Sequence, residues 1–240
     1  MFRVTPASCE GCAAGEIGFC ANLSDPVIER IAGISRTHHF KKLQIIPRND
    51  TAPMTALILR RGMIKVSHSL TDGRQQIVDF LTAGDVLIHH LADSTVSATV
   101  EATTDVNACE VNLADLDALC AEAPELGQSL LGAVLGEIDR KNHQVMMLGR
   151  KRADERVASL LLDFSNRAAR RGEPAANLHL PMSRAEIADY LSLTTETVSR
   201  AFSLLREEGI VRLPKPYDVV ICDIARLLEI AGGGAHLSVR

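Results

Sequence analysis

The sequence predicts an α+β chain in three parts: an antiparallel β-barrel of the jelly-roll kind, one long dimerisation helix, and a C-terminal winged helix-turn-helix. Three observations carry this. Between Lys42 and Val111 the chain breaks into short apolar runs separated by turn residues, the signature of many short antiparallel strands. From Pro124 to Leu148 apolar side chains recur at four-three spacing, the seam of a coiled coil. From Ser183 to Leu205 two helix starts follow one another across a tight turn.

The whole chain sets the frame. Its 240 residues, 46% of them hydrophobic, suffice for two modest domains that each bury a core. The expected boundaries are a cysteine-rich segment over 1–20, the barrel over 21–121, the dimerisation helix over 122–150, and the winged helix-turn-helix over 151–240. No run approaches the roughly 18 uncharged apolar residues a membrane span needs, and no signal-peptide pattern opens the chain. The expectation is a cytoplasmic protein. There, six cysteines point to a metal site or thiol chemistry rather than to disulfides. The net charge of −4 is unevenly spread: from Arg150 to Arg212, 11 Lys/Arg stand against 9 Asp/Glu, a surplus of two positive charges.

The first twenty residues hold the densest chemistry, Cys9 and Cys12 followed by Cys20 in a C-x2-C-x7-C array with Gly11, Gly15 and Gly18 among them. Glycines let a backbone close around something it coordinates. Three thiolates leave a four-ligand site one short, so a fourth must come from elsewhere in the chain. Asp25-Pro26 then starts a short helix, proline fixing its first turn.

The barrel strands are read at 43–46, 55–60, 63–70, 75–81, 96–102 and 106–111, with Asp72-Gly73 as a hairpin turn. Cys109 shares a strand face with Val111, which turns it inward. His89 and His90 read as a polar loop beside the barrel, and Cys222 reads as a small core residue.

In the long helix the seam falls on Leu131, Val134, Ile138, Lys141, Val145 and Leu148. A seam in mid-chain calls for a partner, and the simplest is a second copy. Lys141 in that seam either brings two ammonium groups together across the axis, weakening the dimer, or snorkels outward to Glu137 four residues earlier. Gly127, Gly132 and Gly136 each weaken the helix by roughly 1 kcal/mol relative to Ala.

The C-terminal part carries the most specific pattern. Ser183 and Glu186 make a capping box, Thr194 caps a second helix, and Val198, Ala201, Phe202 and Leu205 form its apolar face. The opposite face offers Glu196, Ser199, Arg200 and Ser203. Arg forks onto guanine, Glu accepts from the cytosine amine, and Ser does either, so this helix reads as a DNA-recognition helix. Before it, residues 150–171 form an amphipathic buttress. After it, 210–213 and 218–222 flank a turn at 214–217 as a hairpin wing bearing Lys215, and Asp223 caps a last helix. The tail from 232 onward reads as disordered.

A barrel, a dimer helix and a winged helix in that order resemble the CRP/FNR superfamily of bacterial transcription regulators, and the barrel resembles its cyclic-nucleotide-binding-like domain. The N-terminal cysteines together with LTTETVSRAFSLLREEGIV at 193–211 resemble the oxygen-sensing FNR branch, its FnrN, FnrL and AadR members above all. The resemblance implies a 4Fe-4S cluster held by Cys9, Cys12, Cys20 and Cys109, with Cys120 as the other candidate for the fourth ligand. It implies DNA contacts from Glu196, Ser199 and Arg200 to a palindrome of the form TTGAT, four bases, ATCAA. It also implies a homodimer and contact with RNA polymerase through loops such as 67–73. A cyclic nucleotide is not expected, because 84–102 holds no Arg or Lys to meet its phosphate. The same cysteines would also suit a structural zinc or a thiol-redox site under a different signal. An enzyme is not expected, since no acid/base or nucleophile constellation stands out.

Overall fold

The computed structural model describes residues 9, 12–47, 54–89 and 97–232. The chain divides into two compact units, Met1–Ile138 and Asp139–Arg240.

The first unit opens with a one-turn helix α1 (Ala13–Glu16) and with α2 (Asp25–Ile34). Eight strands follow among the described residues: β1 (Arg36–Phe40), β2 (Ile45–Ile46), β3 (Thr55–Arg61), β4 (Met63–Ser69), β5 (Gln75–Thr82), β6 (Val86–His89), β7 (Ser97–Ala102) and β8 (Val106–Asn112). They pair antiparallel in two four-stranded sheets, β1-β8-β3-β6 and β2-β7-β4-β5. Between the sheets lies a core that includes Phe40, Leu57, Leu59, Ile64, Val66, Val100 and Val106. The expected jelly-roll architecture is therefore present. Asp72-Gly73 turns the β4–β5 hairpin, Gly73 taking φ +86° while Asp72 accepts from the Arg74 amide at 3.0 Å.

A second core covers the other face of the β1-β8-β3-β6 sheet. Strand alternation creates it: Leu57 and Leu59 enter the barrel interior, so Ile58 points away from it. Ile58 and Val111 meet Phe19 and Leu23 of the N-terminal segment, Val27, Ile28 and Ile31 of α2, and Leu116 and Leu119 of α3 (Leu113–Glu122). Asn112 caps α3 by accepting from the Ala114 amide at 2.9 Å. Leu126, in the first turn of α4 (Pro124–Arg150), closes this core.

The second unit contains α5 (Ala153–Arg170), β9 (Asn177–His179), α6 (Arg184–Tyr190), α7 (Thr195–Glu207), β10 (Val211–Lys215), β11 (Asp218–Ile221) and α8 (Ile224–Ala231). Its strands form one antiparallel sheet, β10-β11-β9. Val157, Leu161, Ile187, Leu191, Val198, Leu205, Val211 and Leu227 are fully buried. They come from α5, α6, α7, the wing and α8, with α5 packed on α7 and α8 and α7 packed on α6 and β10.

Several details depart from the sequence reading. The run 43–46 yields only the two-residue β2, because Leu43 sits in the left-handed region at φ +69° and ends the extended backbone. The strands β1 and β6 went unrecognised: RTHHF lacks apolar alternation, and its pairing with β8 makes the strand. His89 ends β6 rather than lying in a loop, and His90 and the tail from 233 fall outside the described residues. Cys109 does share a face with Val111, but that face looks away from the barrel interior toward the helices. Cys222 is exposed, not a core residue.

Candidate functional site

The helix-turn-helix is built by its caps. Ser183 Oγ accepts from the Glu186 amide at 3.1 Å, and Glu186 Oε2 accepts from the Ser183 amide at 2.8 Å. Two amides without intrahelical partners are thereby satisfied. The turn passes through Ser192 in the left-handed region at φ +53°. Thr194 Oγ1 then accepts from the Thr197 amide at 3.1 Å to start α7. Val198, Ala201, Phe202 and Leu205 are buried as expected, and the Arg184 guanidinium stacks over the Phe202 ring at 3.5 Å from its centroid. Burial lowers the Arg184 pKa from its ordinary value.

That packing leaves the other face of α7 open. Glu196, Ser199 and Arg200 are all exposed. Arg200 Nη2 lies 2.5 Å from Glu196 Oε1, one turn earlier, and Ser199 donates its hydroxyl to the Thr195 carbonyl at 2.8 Å. In the wing, β10 and β11 pair Lys215 with Asp218, and His179 Nδ1 lies 2.7 Å from Asp218 Oδ1.

Arg156, on α5, was not singled out in the sequence. Its guanidinium donates to Leu148 O at 2.8 Å, to Lys151 O at 2.9 Å, and to Leu191 O at 2.8 Å, with Ser192 O at 3.5 Å. One cation thus serves the carbonyl ends of both α4 and α6, where the helix dipole favours positive charge.

The cysteines gather at the second core of the first unit. Cys12 is buried in it, and Cys9, Cys20, Cys109 and Cys120 pack against it. Burial raises the Cys109 pKa above its usual value; the Arg60 cation opposes this, and the charges of Cys12 and Cys9 add to the rise. Those two thiols belong to or border the same core as Cys109. Burial also raises Cys120, but its charged neighbour is Asp117 rather than another cysteine. Among the described residues no three His, Cys, Asp or Glu side chains converge as they stand into a metal-binding group. In donor type and neighbourhood, Cys9, Cys12, Cys20 and Cys109 nevertheless fit a thiolate-ligated group, since all four belong to or pack against one core.

How the cysteine-bearing segment docks was not legible in the sequence. A Cβ added at Gly18 would lie 2.3 Å from the Gly84 carbonyl oxygen, so the segment meets the β5–β6 turn backbone to backbone. Of the other two glycines, Gly15 has open space around it and Gly11 lies outside the described residues. Ser129 donates to the Phe19 carbonyl. The Ser24 amide and hydroxyl donate to Glu125 Oε1 at 3.0 and 2.6 Å. These two bonds hold the Glu125 carboxyl below its usual pKa, the hydroxyl contributing more.

Along α4, Leu131, Val134, Ile138 and Val145 are exposed in the single chain, from 38% for Val134 to 69% for Val145. Leu148 is half-buried, as are Lys141 and Glu137.

Against this geometry stand the likenesses to known proteins. The Crp-like helix-turn-helix domain family matches residues 155–230, and the cyclic nucleotide-binding domain family matches residues 37–123. The transcriptional activator protein FnrL of Cereibacter sphaeroides is 32% identical over 232 residues, covering 93% of this chain and 92% of its own length. The chain belongs to the CRP/FNR family of transcription regulators, on its FNR branch. The nitrogen fixation regulation protein FixK of Azorhizobium caulinodans is 30% identical over 214 residues, covering 89% of this chain and 86% of its own. The solved structure of FixK2 from Bradyrhizobium japonicum aligns with a TM-score of 0.71 at 31% identity, over 82% of this chain and 97% of that one.

Membership gives the helix-turn-helix domain its role. A Crp-like helix-turn-helix binds DNA, and the relatives are regulators rather than enzymes. No described helix is long and apolar enough to cross a membrane. The match of 37–123 to a cyclic nucleotide-binding domain describes the barrel's lineage.

Proposed function

We propose that this chain is an oxygen-responsive transcription activator in which Cys9, Cys12, Cys20 and Cys109 hold a 4Fe-4S cluster, and which binds FNR-box-like palindromes as a homodimer when oxygen is low. The gathering of Cys9, Cys12, Cys20 and Cys109 at one core carries the reading. It joins the N-terminal thiols to a strand nearly 100 residues away in sequence, and the resemblance to the FNR branch favours Cys109 over Cys120, which borders the same core, as the fourth ligand. Bound there, the cluster supplies an oxygen-labile cross-link between the N-terminal segment and β8. Everything else is the work of the chain.

Exposed Leu131, Val134, Ile138 and Val145, with Lys141 and Leu148, form the seam against a second copy. A two-fold pairing sets the two α7 helices about one turn of DNA apart, roughly 34 Å, which a palindrome matches. Arg200 forks onto a guanine, Glu196 accepts from a cytosine amine, and Ser199 uses the lone pairs its bond to Thr195 leaves free. Lys215 on the wing takes a phosphate. Because 84–102 lacks Arg and Lys, the barrel has no cation there for a cyclic nucleotide phosphate. The β4–β5 hairpin, residues 67–73, is the candidate contact with RNA polymerase.

The test is iron, acid-labile sulfide and DNA affinity measured on anaerobic protein, then again after air. The expected result is about four irons and four sulfides per chain by cluster stoichiometry, with palindrome binding that falls as both are lost. A colourless anaerobic protein carrying zinc, with air-insensitive DNA binding, would overturn the reading in favour of a structural metal and another signal.

A further inference from the structure

Ser24 stands at the N-cap of α2, yet no cap bond is formed by its side chain. Its hydroxyl and its amide both donate to Glu125 Oε1, 101 residues away on the first turn of α4. One turn further along, Ser129 sends its hydroxyl to the Phe19 carbonyl instead of back-bonding to its own helix, the usual resort of a mid-helix serine. Phe19 is 4% exposed and precedes Cys20. Leu126 and Leu130, between and beside these two residues, pack in the core that contains Cys12 and borders Cys20. Glu125 and Ser129 therefore fasten one face of α4, at i and i+4, to the N-cap of α2 and to the segment that bears the cysteines, respectively. Two residues beyond Ser129, Leu131 begins the exposed apolar face.

From this we infer that Ser129 is a positioning residue that transmits the state of the cysteine-bearing segment to the dimer seam, while Glu125 holds the start of α4 to α2. The inference rests on the cluster reading above and specifies its route. Gly127, Gly132 and Gly136 leave this stretch of helix intrinsically weak, so it depends on anchors from outside. While residues 12–20 are docked, the Phe19 carbonyl and Ser24 hold the first two turns of α4, and Leu131 and Val134 are presented in register. When the segment leaves, the Phe19 carbonyl leaves Ser129, and the near end of the seam frays. The polarity of the contacts suits this role, because a hydroxyl and a carboxylate can be rehydrated at small cost.

The test is a double-mutant cycle on the full-length anaerobic protein with Ser129→Ala, Cys109→Ser and the pair together, plus Ser129→Thr. Iron and sulfide, the visible absorbance and the dimer dissociation constant by sedimentation are read for each. Ser129→Ala is expected to keep wild-type iron and sulfide while weakening the dimer by about 30-fold, one hydrogen bond lost from each of two copies. Ser129→Thr restores most of it. In the Cys109→Ser background, where the segment is already released, Ser129→Ala has no further effect. Equal weakening in both backgrounds, an unchanged dimer constant, or loss of iron in parallel with the dimer would each overturn the inference. The metal analysis of the wild type reports separately on the cluster, so zinc in place of iron and sulfide sinks that reading while the cycle still decides the transmission.

Discussion

Replacing Arg156 with Met removes a single guanidinium from three carbonyls held at 2.8–2.9 Å, while the methionine keeps most of the aliphatic stem that lines α5. Each hydrogen bond from a charged donor is worth roughly 1.5–3 kcal/mol. The simple sum overstates the loss, because Arg156 is half-buried and water can reach some of the freed carbonyls at the helix ends. A loss of about 3 kcal/mol is the resulting expectation. For a unit of this size that lowers the melting temperature by about 15 °C. Urea unfolding of the full chain, followed by circular dichroism, should show the transition of the second unit moving alone. Arg156→Lys should recover less than half, since an ammonium cannot reproduce the planar fork that spans three acceptors. A loss below about 1 kcal/mol, or full recovery by lysine, would refute the idea that Arg156 ties the end of α4 to the turn of the helix-turn-helix.

Four further outcomes follow. Arg200→Ala should relax preference at one G·C pair per half-site, measured by binding to a set of single-base variants; uniform weakening would mark Arg200 as a phosphate contact instead. Lys141→Ala should strengthen the dimer of metal-free protein in sedimentation if the ammonium groups oppose each other across the seam, and an unchanged constant would place Lys141 outward with Glu137. Cys109→Ser should abolish anaerobic iron and sulfide while Cys120→Ser leaves them in place, if Cys109 rather than Cys120 is the fourth ligand; the reverse outcome would exchange their roles. Gly18→Ala should lose iron and sulfide although no ligand is touched, since its Cβ would fall 2.3 Å from the Gly84 carbonyl oxygen, and backbone cannot yield there. Normal metal content in that variant would mean the segment docks elsewhere.

The parts of the fold legible in the sequence are those written locally. Ser183 with Glu186, Thr194 with Thr197, and Asp223 with Arg226 each form a cap within three or four residues, so spacing alone announces them. Asp72-Gly73 announces its hairpin in the same way. What stayed hidden is joined only by tertiary folding. RTHHF has no strand pattern of its own and becomes β1 by pairing with β8. The face of Cys109 followed from alternation, but its direction depends on α2 and α3 covering the outside of the sheet, which no strand pattern records. Gly18 was visible as a glycine; the reason for it lies 66 residues away at Gly84. Ser129 and Arg156 look in sequence like ordinary polar residues on amphipathic helices, and only their partners give them meaning.

The state of the reading face itself bears on where control lies. In the free chain Arg200 is engaged by Glu196, and both side chains are more than 70% exposed. An exposed i,i+4 pair is worth only about 0.5 kcal/mol, far less than the roughly 1–3 kcal/mol a bidentate contact to a base supplies. DNA can therefore separate the pair at little cost, and the pair holds Arg200 extended along α7 until it does. A reading face so easily opened makes a poor switch. Nothing in α6 or α7 carries a thiol, and the cysteines with a shared neighbourhood all lie in the first unit. On the proposed reading, regulation of DNA binding acts on the pairing of two copies of α4, whose apolar face is exposed in the single chain and whose second turn is fastened through Ser129 to Phe19, next to Cys20.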